Sequence, residues 1–401
     1  MLDGYKGRRF TLKEKIRLAI IGCGGMAGGH LNACKEMKEK DIDIFDLVAT
    51  CDVDESKAHR FAETAELFQG GLRPKVYTDH KQLLDKEKID AALIPSHHRS
   101  HHIIGIDCLL NGAHVMTEKP FAITIKAAKK MIDTANKMGK IAAVAENYRY
   151  EASNRAIKFA IEEGVIGKPQ MLFQGGVAGE LNARLASTAW RHHKLEAGDG
   201  TILDNGVHDS DLFYYFLGEV DEVYGVTFRF DDIRYRRNET GRIIETTYND
   251  CNEGGFAILK FANGVVGQWG PAYWAGHGEG AGYGRWIYGS EGVIKGMEIT
   301  KEDGTKEDAK KFFDIHTNKE LKQRYFPHGI LNSVTLEIYG FLSCIQNGGK
   351  PETDGEVGLK ALSIAYSLIE SACLNAPVKV KDVESGKIEV WQKEINESLG
   401  L

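Results

Sequence analysis

Asp204, His208, Asp211 and Tyr215 recur at steps of four, three and four residues near the middle of a 401-residue chain. On a helix of 3.6 residues per turn, that spacing puts all four on one face. The same stretch, Gly198 to Gly218, carries Leu203, Val207, Leu212, Phe213, Tyr214, Phe216 and Leu217, so most of the circumference is apolar. Such a helix is buried, and a buried stripe of Asp, His and Asp costs free energy unless its groups are paired or used. Gly218 offers a stop just past the last apolar residue. Two readings stand side by side. One is a core histidine satisfied by a carboxylate one turn away. The other is chemistry, because His titrates near neutrality unperturbed, the property a general base needs.

The elements that must position these residues begin with Ile16–Ile21, a short apolar run that reads as a buried strand. Directly after it comes Gly22-Cys23-Gly24-Gly25-Met26-Ala27, a G-x-G-x-x-A that runs into a helical segment from Gly28 to Lys40. Gly22 suits the tight turn, Gly24 lets the backbone approach a pyrophosphate, and Ala27 lets helix and strand pack closely. The helix N-terminus then faces the phosphates. A second strand, Phe45–Cys51, ends on Asp52, an acid placed to bind the adenosine ribose hydroxyls and repel a 2′-phosphate. No Lys or Arg follows until Lys57, so NAD is expected rather than NADP. The glycines and Asp52 stand further apart than the usual spacing of about 20 residues, which a longer first helix and loop absorb.

Alternating strands and helices continue to about residue 145: Asp54 caps a helix to Phe68, strands follow at Ala91–Ile94, His114–Met116 and Ile141–Ala145, and Thr124 caps a helix that Gly139 stops. Beyond Tyr150 the pattern changes. One helix spans Asn154–Glu163, and longer strands follow at Val220–Phe230 and Arg285–Tyr288. Gly255–Phe261 and Val265–Trp269 form a hairpin around Asn263-Gly264. Helices at about Leu331–Gln346 and Val357–Asn375 close the chain. The predicted fold class is α/β: an N-terminal Rossmann doubly wound parallel sheet plus a C-terminal α+β domain with a large, mainly antiparallel sheet. The expected divisions are an arm (1–15), an NAD-binding domain (16–147) and a C-terminal α+β domain (148–401), to which the family resemblance given below assigns substrate binding and oligomerisation.

The net charge of −6, with no basic block, argues against nucleic acid or an anionic membrane as partner. No apolar run approaches the ~18 residues of a membrane span, and the polar start reads as an arm rather than a signal peptide. Seven scattered cysteines without a C-x-x-C suit a reducing cytoplasm.

Gly112-Ala113-His114-Val115-Met116-Thr117-Glu118-Lys119-Pro120 resembles the G-K-H-V-x-x-E-K-P stretch of the glucose–fructose oxidoreductase/inositol dehydrogenase (Gfo/Idh/MocA) family. Gly198–Asp211 is similar to that family's G-G-x-x-x-D-x-G-x-H-x-x-D, and His101 stands where its T-P-N-x-x-H loop has a histidine. Asn147–Tyr150, Gly164–Gly167 and Trp286–Gly292 also look familial, so the resemblance runs from about Ile16 to Val380. It implies a two-domain NAD(P)-dependent oxidoreductase of sugars, polyols or related alcohols, dimeric or tetrameric through the outer face of its C-terminal sheet. Lys119, Asp204 and His208 match the catalytic residues, with Lys119–Pro120 cis. On this reading His208 is the base, Asp204 orients it, and Lys119 donates to the substrate oxygen and stabilises developing alkoxide charge.

Ser96, His98, His101, Glu118, Lys119 and Asn147 are expected at the cofactor beside the glycine loop. Tyr148, Arg149, Trp190, Arg191 and His193 are expected at the substrate, with Asp204 and His208; His192 and Asp211 are softer candidates. The sequence Ser96-His97-His98-Arg99-Ser100-His101 departs from T-P-N-x-x-H. Its histidines at i, i+4 invite a metal reading, but no Cys or carboxylate in the segment completes a set, and no metal is expected. Gly276–Gly284 is either a mobile loop over the pocket or a surface loop. The leading expectation is an NAD-dependent dehydrogenase of a sugar, inositol-type polyol or glycoside, with a ring hydroxyl such as C3 as target. The alternatives are a glycosidase that retains NAD and works by transient oxidation and elimination, and a non-catalytic NAD-binding sensor.

Overall fold

A computed structural model of the chain describes residues 14–178, 188–273 and 282–401. The N-terminal arm and most of the Gly276–Gly284 loop lie outside the described residues. Six parallel strands form the first sheet: β1 Ile16–Ile21, β2 Phe45–Cys51, β3 Lys75–Tyr77, β4 Ala91–Ile94, β5 His114–Glu118 and β6 Ala142–Ala145. Their order, β3-β2-β1-β4-β5-β6, is doubly wound and reverses between β1 and β4. β4 and β6 are buried at every residue, as a sheet covered on both faces requires. The order reversal opens a crevice at the strands' carboxyl ends, where ligands of such sheets bind. Helix ends follow local chemistry. The Asp54 side chain accepts from Ser56 N–H at 3.1 Å to start Glu55–Phe68, and Thr124 caps Ile125–Met138, which Gly139 ends at φ 61°. β3 escaped the sequence reading because it is three partly exposed residues with no apolar run.

Among the described residues the second sheet has nine strands: β7 Pro169–Ala178, β8 Val220–Phe228, β11 Gly254–Phe261, β12 Val266–Tyr273, β13 Gly282–Gly289, β14 Gly292–Lys295, β15 Glu298–Lys301, β16 Lys306–Asp308 and β17 Val378–Lys379. A separate ribbon pairs β9 Ile233–Arg237 with β10 Ile243–Tyr248. The large sheet is antiparallel except for β7 with β12. In β11 the alternation is strict: Ala257, Leu259 and Phe261 are buried while Phe256, Ile258 and Lys260 face outward.

Two helices, Gly206–Leu217 and Gly355–Leu374, cover the inner face. The second comes so close that a Cβ at Gly225 would meet the Leu368 carbonyl at 2.9 Å. By length and composition this helix could cross a membrane, contrary to expectation, yet most of it is buried inside the protein. It is the spine between the two sheets: residue 354, which caps it, bridges to Ala143 of β6, and Phe121 fills the space beside Gly355 and Gly358.

The expected boundary at 148 needs one refinement. Helix Ser333–Asn347 returns to the first unit, where Ile330, Leu336, Phe341 and Leu342 share a core with Leu31, Cys34 and Met37. Thr335 Oγ1 also donates to Glu36 Oε2 at 2.6 Å. The apolar faces that seal the nucleotide-binding unit thus come from both ends of the chain.

Gly206–Leu217 is fastened to the large sheet through Asp209, whose carboxylate accepts from Trp269 Nε1 at 2.9 Å and from the Gln174 amide. Trp269 is fully buried. Trp269→Phe keeps most of the ring but removes a donor to a buried carboxylate. It is expected to lower unfolding free energy by about 2 kcal/mol in urea titration; a loss below about 0.5 kcal/mol would show that Asp209 finds another donor.

Candidate active site

The glycine loop is built as its residue types require. Gly22 sits at φ 102°, and a Cβ there would meet the Pro95 carbonyl at 2.9 Å, so only glycine fits between β1 and β4. Gly24 and Gly25 face open space, and the helix they begin, Gly25–Glu39, has no side-chain cap and no acid in its first turn. Its first N–H groups are therefore available to an anion, the fit a pyrophosphate needs. Met26 is exposed and Ala27 is buried against the sheet. Asp52 has a second duty that the sequence did not reveal: its carboxylate accepts from Cys23 N–H at 2.7 Å and from Asp54 N–H at 2.9 Å. It thereby ties the glycine loop to the end of β2. A carboxylate has about four acceptor positions, so acceptor capacity remains for ribose hydroxyls.

At the end of β5, Lys119 precedes Pro120 through a cis peptide. Its ammonium donates to Asp204 Oδ1 at 3.3 Å and to the Asp204 carbonyl, leaving a third donor for another oxygen. Arg191 Nε holds Asp204 Oδ2 at 3.1 Å. Burial raises the proton affinity of Asp204, but Lys119 and Arg191 outweigh it and hold the carboxyl well below the usual range. His98 lies beside this cluster, Nε2 3.7 Å from Asp204 Oδ1, and its Nδ1–H donates to the Ala197 carbonyl at 2.9 Å. Burial lowers its pKa and keeps it neutral. Trp190 closes the side of the cluster, stacked on His97 at 4.6 Å and edge-on to His98 at 4.7 Å.

The helix read as one piece is two, Thr201–Asp204 and Gly206–Leu217, broken at Asn205. The second helix starts in close packing: a Cβ at Gly206 would meet the Trp269 ring of β12 at 2.9 Å. The break separates the partners that the stripe would have joined. Asp204 turns to Lys119, and His208 instead donates from Nδ1 to Glu146 Oε2 at 2.6 Å. The Tyr148 ring stacks on the imidazole, centroids 4.0 Å apart and planes 8° from parallel. Nδ1 is thereby occupied, which leaves Nε2 as the basic nitrogen. Glu146 was missed. The available signal was an acid at the carboxyl end of β6, on the rim where ligands of a parallel sheet bind.

Several expected contact residues make supporting bonds within the protein. Arg149 is buried, forks onto Asp211 with Nε 3.0 Å from Oδ2, and lies 4.8 Å from the Tyr215 ring centre. It cannot face a ligand, and it accounts for Asp211. Glu118 is buried and accepts from His30 Nε2 at 2.8 Å and Lys119 N–H at 3.1 Å. His101 is fully buried, its ring nitrogens 2.8 Å from the Pro120 carbonyl and 3.1 Å from that of Ser96, so it buckles two loops beneath the site. His193 Nε2 lies 3.0 Å from Thr247 Oγ1 of β10. Asn147 Nδ2 lies 3.4 Å from Ser333 Oγ, and Ser96 Oγ accepts from Ser100. His192 is buried and its pKa is lowered by burial to about 4. Among the described residues no group of three or more His, Cys, Asp or Glu is arranged to hold a metal ion.

The glycine loop, the Lys119–Asp204 pair and the buried His208 under the exposed Tyr148 ring lie along one rim of the first sheet. Residues 16–146 match the model of an oxidoreductase family with an NAD-binding Rossmann fold, and residues 154–295 match the GFO/IDH/MocA C-terminal domain. The chain is 25% identical over 372 residues to a myo-inositol 2-dehydrogenase of Thermotoga maritima, covering 92% of this chain and 99% of that protein. It is 23% identical over 385 residues to a D-apiose dehydrogenase of Paraburkholderia graminis, covering 94% and 92%. A levoglucosan dehydrogenase solved with NADH superposes with a TM-score of 0.74 at 22% identity, over 92% of this chain and 99% of that one. Its cradle, its two sheets and these matches place the chain in the Gfo/Idh/MocA family of NAD-binding oxidoreductases.

Proposed function

We propose that the protein oxidises a secondary ring hydroxyl of a sugar, inositol-type polyol or glycoside with NAD as hydride acceptor, C3 of a pyranose being the first position to test. The observation that carries this reading is His208, fixed through Nδ1 with Nε2 left basic, on the same rim as the Lys119 ammonium. The similarity to sugar and polyol dehydrogenases supports the substrate class.

NAD, when bound, supplies the hydride acceptor. His208 Nε2 takes the hydroxyl proton, and the Glu146 carboxylate at Nδ1 stabilises the imidazolium that results. The third Lys119 donor holds the substrate oxygen as negative charge develops there, and Asp204 aims that ammonium. Tyr148 and Trp190 offer apolar faces against which a sugar ring packs. Gly24, Gly25 and Met26 hold the pyrophosphate by backbone N–H groups, and Asp52 holds the ribose.

The outer face of the large sheet supports self-association. Phe173, Tyr224, Val226, Phe256, Ile258 and Val266 form an exposed apolar set on β7, β8, β11 and β12, of the kind that marks a protein interface. A second copy of the chain is the proposed occupant.

Four outcomes are expected. In an NADH-absorbance screen over free sugars, inositols and glycosides, NADH accumulates steadily; released aglycone without net NADH would favour the elimination mechanism. With the best substrate, His208→Ala and Lys119→Ala each lower turnover by roughly a hundredfold while NAD affinity holds, and full activity in either removes that residue from its role. At matched concentrations NAD outperforms NADP; the reverse would contradict the role of Asp52. For self-association, Phe256→Asp is expected to reduce the sedimenting mass of the assembly, and an unchanged mass would place the interface elsewhere.

A further inference from the structure

Behind His208 lies a set of buried polar atoms that the reaction as written does not use. Glu146 is 1% exposed; its Oε2 holds the histidine, and its Oε1 is buried with no hydrogen-bond partner. Glu337, on helix Ser333–Asn347, is also 1% exposed, and neither of its carboxyl oxygens has a partner. That helix is brought here by its packing on the Asn147–Tyr150 turn and on β6, with Ser333 one turn before Glu337 lying against Asn147. A buried carboxyl group with neither cation nor donor is tolerable only as the neutral acid. Burial, with the nearby charges of Glu118 and Glu146, pushes Glu337 well above the usual carboxylate range. A neutral acid owns an O–H donor, and Glu146 Oε1 is an acceptor that lacks one.

We propose that Glu146 and Glu337 form a buried acid pair behind His208: Glu146 carries the charge that receives the imidazole Nδ1–H, and Glu337 donates its O–H to the free oxygen of Glu146. The two carboxyls are not in direct hydrogen-bond contact, and in the proposed pair the Glu337 donor reaches Glu146 through one bridging water. The pair makes both residues positioning groups. Glu146 fixes the tautomer and stabilises the imidazolium, while the Glu337 donor limits the basicity of Glu146 so that the proton stays on His208.

The other groups facing the pair are already engaged or neutral. Glu118 is held by His30, and Asp211 by Arg149. Glu151, at the start of helix Ala152–Glu162, acts on His208 from a half-buried position. The Lys119 ammonium acts on Tyr148 and Glu118. Burial raises the Tyr148 and Tyr150 hydroxyls, so both are neutral.

The proposal rests on His208 being the base, but its test does not need turnover. In the ligand-free full chain, imidazole 15N NMR reads the tautomer and pKa of His208, assigned by the signal lost in His208→Asn. The wild type is expected to show Nδ1–H. Glu146→Gln, which keeps an acceptor but loses the charge, should lower the His208 pKa by about one unit or more. Glu337→Gln keeps a donor and should leave it within about 0.3 units, whereas Glu337→Leu removes the donor and should raise it by about 0.5 units or more. The acid limb of the kcat profile should move in the same directions. An unmoved His208 pKa in Glu146→Gln, or equal shifts in the two Glu337 variants, overturns the pair. Wild-type turnover in His208→Ala would instead overturn the base assignment, leaving the NMR result to stand on its own.

Discussion

Burying the Gly206–Leu217 helix is the constraint on which the rest of this architecture depends. It lies between the large sheet and the long helix Gly355–Leu374, and His208, Asp209, Ser210 and Asp211 are all buried along its first turns. Each of the three titratable side chains must find a partner there, because an unpaired buried charge costs several kcal/mol (of order 3–5 kcal/mol). Each finds it in a different element. Asp209 takes Gln174 and Trp269 from the sheet, Asp211 takes Arg149 from the turn after β6, and His208 takes Glu146 from the end of β6. Solving the burial problem therefore joins this helix to both halves of the molecule, and holds His208, the proposed base, at the rim of the nucleotide-binding sheet.

The same logic divides the charges at the rim into two compartments. Around Asp204 the cations Lys119 and Arg191 outweigh burial and keep the carboxylate ionised, so that it can aim an ammonium. At His208 the partner is the Glu146 carboxylate, which takes the imidazole Nδ1–H. In the proposed mechanism one compartment stabilises developing negative charge and the other accepts the proton. The two lie on opposite sides of the break at Asn205.

Much of this was legible in the residues alone. Strands β1, β2 and β4 and the capped helices after Asp54 and Thr124 fall where local signals put them, because burial on both faces and side-chain caps are short-range chemistry. The glycine loop was readable for the same reason: Gly22 is needed by the backbone itself. Lys119, Asp204 and His208 were legible through their family pattern. Which residue each one touches was not. Asp204 and His208 share a helical face on paper, yet Arg149, Glu118 and His101, expected at ligands, are spent inside the protein.

The sequence by itself thus determined most of the elements and the glycine loop, since these follow from periodicity, capping and residue type, and it nominated Lys119, Asp204 and His208 for the chemistry. The tertiary structure decided the pairings. Glu146 meets His208 across 62 residues, and Trp269 meets Asp209 across 60. No local pattern encodes such contacts; they follow from the need to satisfy every buried polar group wherever packing happens to bring a partner.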